Sequence, residues 1–157
     1  LIDNHSPVFG VVVIPVKKEL YFAFGDSCYY TSYTSSQSFD EIISNAKQIE
    51  PSNEESMLIK VAASRSHLNQ ETSDFISGLE SNGKRVEKIQ AGSSLKFCLL
   101  AKGEIDIYPR FSPCMEWDTA AAHAILLAVG KNIIDQKTGK EMVYNKENLL
   151  NNSFIAQ

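Results

Sequence analysis

One acid invites a chemical reading: Asp118, at the mouth of the otherwise apolar stretch MEWDTAAAHAILLAVG, residues 115–130. A carboxylate there can tie down the free amides of a helix start. It can also offer oxygen to a divalent cation beside a substrate. The helix expected over Asp118–Val129 is apolar almost all round, which marks it as buried, and Gly130 ends it. Alanines 120–122 would let its first half pack tightly. On composition alone, capping is the better account of Asp118.

Two further junctions carry small polar or charged groups. GSSLK, Gly92–Lys96, follows a predicted strand and opens a predicted helix. Ser93, Ser94 and Lys96 would surround a helix start whose free N–H groups favour an anion. Lys96 opposes the helix dipole there, and a bound anion would remove that conflict. ASRSH, residues 63–67, ends a strand and offers Ser64, Ser66 and His67. Ligands of open α/β sheets gather at such strand ends. Arg110 ends another strand, directly after Pro109. Taken singly, serine capping is the better account of GSSLK and a plain cap and loop the better account of ASRSH, and Arg110 reads as well as a surface arginine with a solvated head. Together, however, the junctions at 64, 93 and 118 offer a carboxylate, hydroxyls and cations, the mixture with which magnesium and a protein share a phosphoester.

Other chemistries fail on spacing. GLESNGK, Gly78–Lys84, imitates a phosphate-binding loop, but Arg85 stands where Ser or Thr is required. A helix also ends there instead of beginning. The residues six beyond the three cysteines are Thr34, Glu104 and Ala120, so no cysteine–arginine phosphatase loop exists. His5, His67 and His123 have no histidine or cysteine at zinc-ligand spacing. No G-x-S-x-G elbow occurs. A net charge of −4 argues against a general nucleic-acid binder. Cys28, Cys98 and Cys114 are odd in number and far apart, which fits free thiols in a reducing compartment. No apolar run is long enough for a transmembrane helix, and no signal peptide is evident.

Positioning these groups requires an α/β layer. PVFGVVVIPV (7–16), ELYFAFGD (19–26) and CYYTSYT (28–34) read as an antiparallel meander, its first strand covered on both faces. Residues 36–56 are polar and read as a linker with a short helix near 38–47. Strands at 57–64, 84–90 and 104–110 then alternate with helices at 69–81, 93–103 and 118–129, which implies crossovers. A hairpin joins 132–135 to 141–144, and NSFIA forms a last strand. Three parts result: a partial antiparallel sheet over 1–35, the linker over 36–56, and a mixed α/β unit over 57–157.

The stretch GSSLKFCLLAKGEIDIYPRFSPCMEWDTAAAHAILLAVG closely resembles the C-terminal half of bacterial CysQ-type 3'(2'),5'-bisphosphate nucleotidases, within the inositol monophosphatase superfamily. Trp117, Asp118, Ala120 and Ala121 match its W-D-x-A-A signature, and PVFGVVVIPV and VAASRSH fit in the same order. The resemblance implies a layered α/β sandwich, here truncated. It implies a cytoplasmic, lithium-sensitive, Mg2+-dependent phosphatase, soluble or peripheral at the inner membrane. The substrate class is a small nucleotide, adenosine 3',5'-bisphosphate, cleaved to AMP in the clearance of a by-product of sulfate assimilation. It assigns Asp118 to a metal, Lys96 and Arg110 to phosphate charge, and Ser64, His67, Ser93 and Ser94 to the substrate. The family's acidic pair and D-P-x-D-G-T loop, expected upstream of Leu1, do not occur. The chain alone is therefore expected to lack catalytic residues and activity, and to self-associate or pair with the missing N-terminal half. The alternatives are an inositol or sugar phosphate phosphatase and a non-catalytic anion-binding domain.

Overall fold

The computed structural model of the chain describes residues 1–51, 58–63 and 69–157. After a short hairpin of Ile2–Asp3 with Ser6–Pro7 come three antiparallel strands: β1 (Phe9–Ile14), β2 (Glu19–Phe24) and β3 (Ser27–Ser32). Gly10 pairs with Ala23 and Val12 with Tyr21. Gly25, with φ +57°, opens the two-residue turn between Phe24 and Ser27, a conformation glycine adopts without strain. This is the meander expected from three β-rich stretches separated by short turns.

Helix α1 (Phe39–Ser44) starts at a capping box, with Ser38 and Glu41 each taking the other's amide. Strand β4 (Lys47–Gln48) then pairs with β3. The stretch read as a linker thus holds the expected helix and also a fourth strand, which its polar composition conceals.

The second layer is built from β5 (Leu58–Ala63), β6 (Arg85–Gln90), β7 (Tyr108–Arg110), β8 (Ile133–Asp135), β9 (Lys140–Glu141) and β10 (Phe154–Ala156). β5 and β6 are parallel, joined across α2 (Gln70–Ser81). The Ala62 amide donates to the Ile107 carbonyl (2.8 Å), which carries the layer on to β7. From there β7, β10, β8 and β9 pair in that order, all antiparallel. The last strand is therefore internal. The strand expected from 104 is shorter because the Asp106 carboxylate, in place of a backbone carbonyl, takes the Lys60 amide (2.7 Å).

Two helices, α3 (Leu95–Ala101) and α4 (Ala120–Leu127), fill the space between the layers. Phe97 of α3 packs on Tyr108 and Phe154, with ring centroids 4.9 and 5.9 Å apart. On the opposite side the Lys102 ammonium lies 4.8 Å from the Tyr30 ring centroid. Helix α4 lies so close to β1 that a Cβ at Gly10 would fall on the carbonyl oxygen of Ala121. The expectation that the alanines permit tight packing is met. Gly103 and Gly130, with φ +71° and +73°, stop the two helices. Beyond each, the next amide bonds back into the last turn: Glu104 to the Leu99 carbonyl (2.9 Å) and Lys131 to the Leu126 carbonyl (2.9 Å). One hydrophobic core runs from Val12 and Tyr21 through Leu100 and Ile125 to Ile133 and Phe154.

Two expectations need correction. β1 is covered on one face only: Val12 is buried, whereas Val11 and Val13 are 42% and 48% exposed. Its continuous apolar run imitates a strand buried on both sides. Asp118 does not open α4 either. It ends a separate 3-10 turn, Glu116–Asp118, and Thr119 stands between that turn and the helix. The phosphate-loop imitation is a helix end, with Gly83 at φ +79° leading into β6. All three cysteines are free and buried. No helix among the described residues is long and apolar enough to cross a membrane.

Candidate functional site

The start of α3, the end of β7 and the Glu116–Asp118 turn meet around an open cleft of about 120 Å³. Ser93, Ser94, Arg110, Asp118 and Thr119 line it, with Phe97, Tyr108 and Phe154 forming its apolar floor. The approach of α3 is set at Ser93, whose φ of +46° makes the turn after Gly92. Ser94 occupies the cap position, yet its side chain makes no capping bond. The serine-capping account of GSSLK does not hold, and the Ser94 hydroxyl is left for the cleft.

Lys96 is turned inward. It is only 2% exposed, with Nζ donating to the Ala91 carbonyl (3.2 Å) and lying 4.8 Å from the Tyr108 ring centroid. Burial, reinforced by the Arg110 charge, pulls its pKa down to about 8. Arg110 is held by three oxygens: Tyr108 Oη (3.2 Å), the Pro113 carbonyl (3.1 Å) and the Ser112 carbonyl (3.3 Å). Among the described residues, ion pairs form only at Lys102–Glu104 and Lys146–Glu116. Neither Lys96 nor Arg110 has a carboxylate partner there. The two cations repel one another, Arg110 adding to burial in lowering the Lys96 pKa, while the Asp118 charge across the cleft favours Arg110 without an ion pair.

Asp118 is exposed at the rim. Its Oδ2 accepts the Met115 amide (2.9 Å), so the carboxylate does tie down backbone, though in its own turn and not at α4. Of the two chemistries raised by the sequence, tying down backbone is the one seen, and Oδ1 stays free of hydrogen bonds among the described residues. Ser64 and His67, with Ser66, fall outside the described residues. Among the described residues no three His, Cys, Asp or Glu side chains converge on one point. A hard dication needs several oxygens, so one carboxylate is an incomplete magnesium site.

The sequence reading misses the groups that support this rim. Glu116 is buried and receives the amides of Asn145 (2.8 Å) and Lys146 (3.1 Å) and the Lys146 ammonium (2.7 Å). Burial works to raise its pKa, but these donors outweigh it and hold the carboxyl below its usual range. His123, fully buried in α4, bonds Asn132 Oδ1 through Nε2 (2.8 Å) and the Tyr144 hydroxyl through Nδ1 (2.9 Å). Asn132 Nδ2 donates to Glu141, so its Oδ1 must accept and His123 carries its proton on Nε2. Burial lowers the His123 pKa and keeps it neutral. Nothing in the spacing marks Glu116, Thr119, Tyr144 or Asn151, because their partners are brought together only by the return of the chain through 144–151.

The inositol monophosphatase family model matches residues 1–156. This chain belongs to the inositol monophosphatase family. It is 36% identical to the 3'(2'),5'-bisphosphate nucleotidase CysQ of Salmonella typhimurium over 155 residues, covering 98% of this chain and 56% of that protein. It is 35% identical to its counterpart in Escherichia coli K12, with the same coverage. The crystal structure of CysQ from Bacteroides thetaiotaomicron superposes with a TM-score of 0.88 at 41% identity, covering 99% of this chain and 59% of that one. Staphylococcal IMPase-II, at 16% identity and a TM-score of 0.63, shares the fold. The family is thus one of phosphatases, its sandwich is the fold seen here, and the chain spans little more than half the length of these relatives.

Proposed function

We propose that this chain is the C-terminal portion of a magnesium-dependent 3'(2'),5'-bisphosphate nucleotidase, and that its cleft receives the phosphates of adenosine 3',5'-bisphosphate. The observation that carries the reading is the pair of cations without carboxylate partners, Lys96 and Arg110, beside hydroxyls free to bond an anion. Arg110 meets phosphate oxygens as a planar fork, and Lys96 supplies charge from beneath. Ser93 and Ser94 donate hydrogen bonds at the head of α3. Ser64 and His67, which lie outside the described residues, contact the nucleotide. Asp118 gives one oxygen of a magnesium site whose other ligands belong to the family's upstream acidic pair and aspartate-rich loop. Magnesium, when bound, polarises the phosphoryl group and activates water. The chain by itself is inactive, and it works in the cytoplasm, in the recycling of a by-product of sulfate assimilation.

The remainder of a family-length protein also explains the exposed side of the meander. Phe9, Val11, Leu20 and Phe22, with Phe39 and Ile43 of α1, line an apolar groove of about 300 Å³. We assign this face to the N-terminal half, and expect the isolated chain to self-associate through it. A stable monomer in sedimentation velocity would contradict that.

The functional test is calorimetric titration of this chain with adenosine 3',5'-bisphosphate and with inositol 1-phosphate, beside hydrolysis assays of chain and family-length protein. Binding of the bisphosphate without turnover, and turnover by the longer protein, are expected. Preference of the longer protein for inositol 1-phosphate would replace the substrate. Absence of binding to either would overturn the anion site.

A further inference from the structure

Asp118 has one hydrogen bond with the described residues, and it is made within its own turn. Its place over the cleft therefore depends on what holds the turn. Almost all of that grip comes from 144–151. Glu116 takes the Asn145 and Lys146 amides, and its own amide donates to the Leu149 carbonyl (3.0 Å). Cys114 and Met115 pair with Asn151 and Leu150 as a short antiparallel ladder. The contacts converge on the Thr119 hydroxyl, which is buried beside the cleft. It donates to the Glu116 carbonyl (3.1 Å) and receives the Asn151 amide (3.1 Å). The Tyr144 hydroxyl lies 3.3 Å away. The same Asn151 amide group also donates to the Met115 carbonyl (3.0 Å), so it spans both ends of the turn. Removing this buried hydroxyl would leave the Asn151 amide without one acceptor and take a donor from the Glu116 carbonyl, and the turn would loosen before the core did.

We infer that Thr119 is the positioning residue of the Glu116–Asp118 turn, its hydroxyl, bonded to the Glu116 carbonyl and gripped by Asn151, keeping the Asp118 carboxylate over the cleft. The inference rests on the proposed reading only for the purpose of that carboxylate, not for the grip itself. Thr119 touches no reacting atom. It acts through the backbone of its neighbours, and 144–151 becomes an indirect determinant of the site.

Native-state hydrogen exchange of this chain tests the grip. Thr119→Val keeps the shape and removes the hydroxyl, whereas Thr119→Ser keeps the hydroxyl. In Thr119→Val the Met115 amide, which bonds Asp118, should exchange about tenfold faster, relative to core amides such as Ala23. In Thr119→Ser it should stay within about twofold of wild type. Equal acceleration of Met115 and Ala23, or failure of serine to rescue, would overturn the inference. Should Thr119→Val not fold, Asn151→Leu, which removes the donor to Thr119 and to the Met115 carbonyl, carries the same comparison, with about threefold acceleration confined to the turn expected. Millimolar Mn2+ serves as the second readout, through broadening of the Ser94 and Thr119 amide signals. That broadening should weaken in Thr119→Val, persist in Thr119→Ser and vanish in Asp118→Asn. Broadening that survives Asp118→Asn would refute the cation role of Asp118, while the exchange result would still decide the grip.

Discussion

The two faces of the meander come from the same strands and are both apolar, but they are built to different scales. The inner face carries Gly10, Val12, Tyr21, Ala23 and Cys28, all against the helix layer. Its small members mark where α4 comes nearest. The outer face carries Phe9, Val11, Val13, Phe22 and Phe24, larger on average and partly in water, with Phe24 73% exposed. A face already packed tolerates no added atom, because protein interiors are close-packed. A face awaiting a partner loses little when trimmed. Small residues on a strand thus report a near neighbour within the chain. Large ones that remain wet leave an apolar face, which the proposed reading assigns to the rest of a family-length protein.

Substitutions can break this comparison. The largest effect is expected from Gly10→Val, where the new side chain meets the Ala121 carbonyl, which is backbone and cannot turn aside. A loss of about 3 kcal/mol or more in urea unfolding is expected. Val11→Ala, one residue away, should cost no more than about 0.5 kcal/mol in the isolated chain. Similar losses at both positions would end the distinction between the faces. Next in size, Lys96→Met should raise stability by about 2 kcal/mol without ligand, because it removes a buried charge lacking a carboxylate partner. It should also abolish bisphosphate binding in the calorimeter.

Smaller effects sharpen the picture through pH. Lys96 has its pKa lowered to about 8, so between that value and its ordinary 10.5 the unfolded chain holds a proton that the folded one has released. Stability contributed by this group should therefore rise as pH increases through that window. Comparing wild type with Lys96→Met at each pH isolates the trend. His123, whose pKa burial lowers, favours the neutral form in the fold. Its contribution should be complete above its ordinary value of 6.5 and decline as pH falls below it, and His123→Gln should flatten that decline. The smallest change is expected from Phe24→Lys on the outer face: nearly unaltered unfolding, but a shift of the sedimentation profile toward monomer.

Legibility followed the range of the interaction. β-rich stretches between short turns exposed the meander, periodicity exposed α2, and the glycines at 103 and 130 marked the ends of α3 and α4. The small-polar junctions at 93 and 118, with Arg110, did meet in one cleft. Three points escaped. The apolar run of β1 hid a half-open strand, since periodicity cannot distinguish one covered face from two when both are Val and Phe. Asp118 looked like the cap of α4, because Thr119 is as polar as a cap and the break of one residue leaves no compositional trace. Lys96 read as a first-turn cation facing an anion, and its burial went unseen because the Tyr108 ring it lies over comes from farther along the chain.

By itself the sequence determined the local structure and the chemical inventory: which segments extend or coil, where helices stop, and which hydroxyls, cations and acid are available. These depend on residues within a turn or two of each other. Only the tertiary structure decided which of those groups share a cleft, that Lys96 is buried beside Arg110 with no carboxylate, and that Thr119 with 144–151 holds the Asp118 turn. Burial and long-range hydrogen bonds arise where distant segments pack, and their energies depend on a surrounding that no short stretch of chain contains.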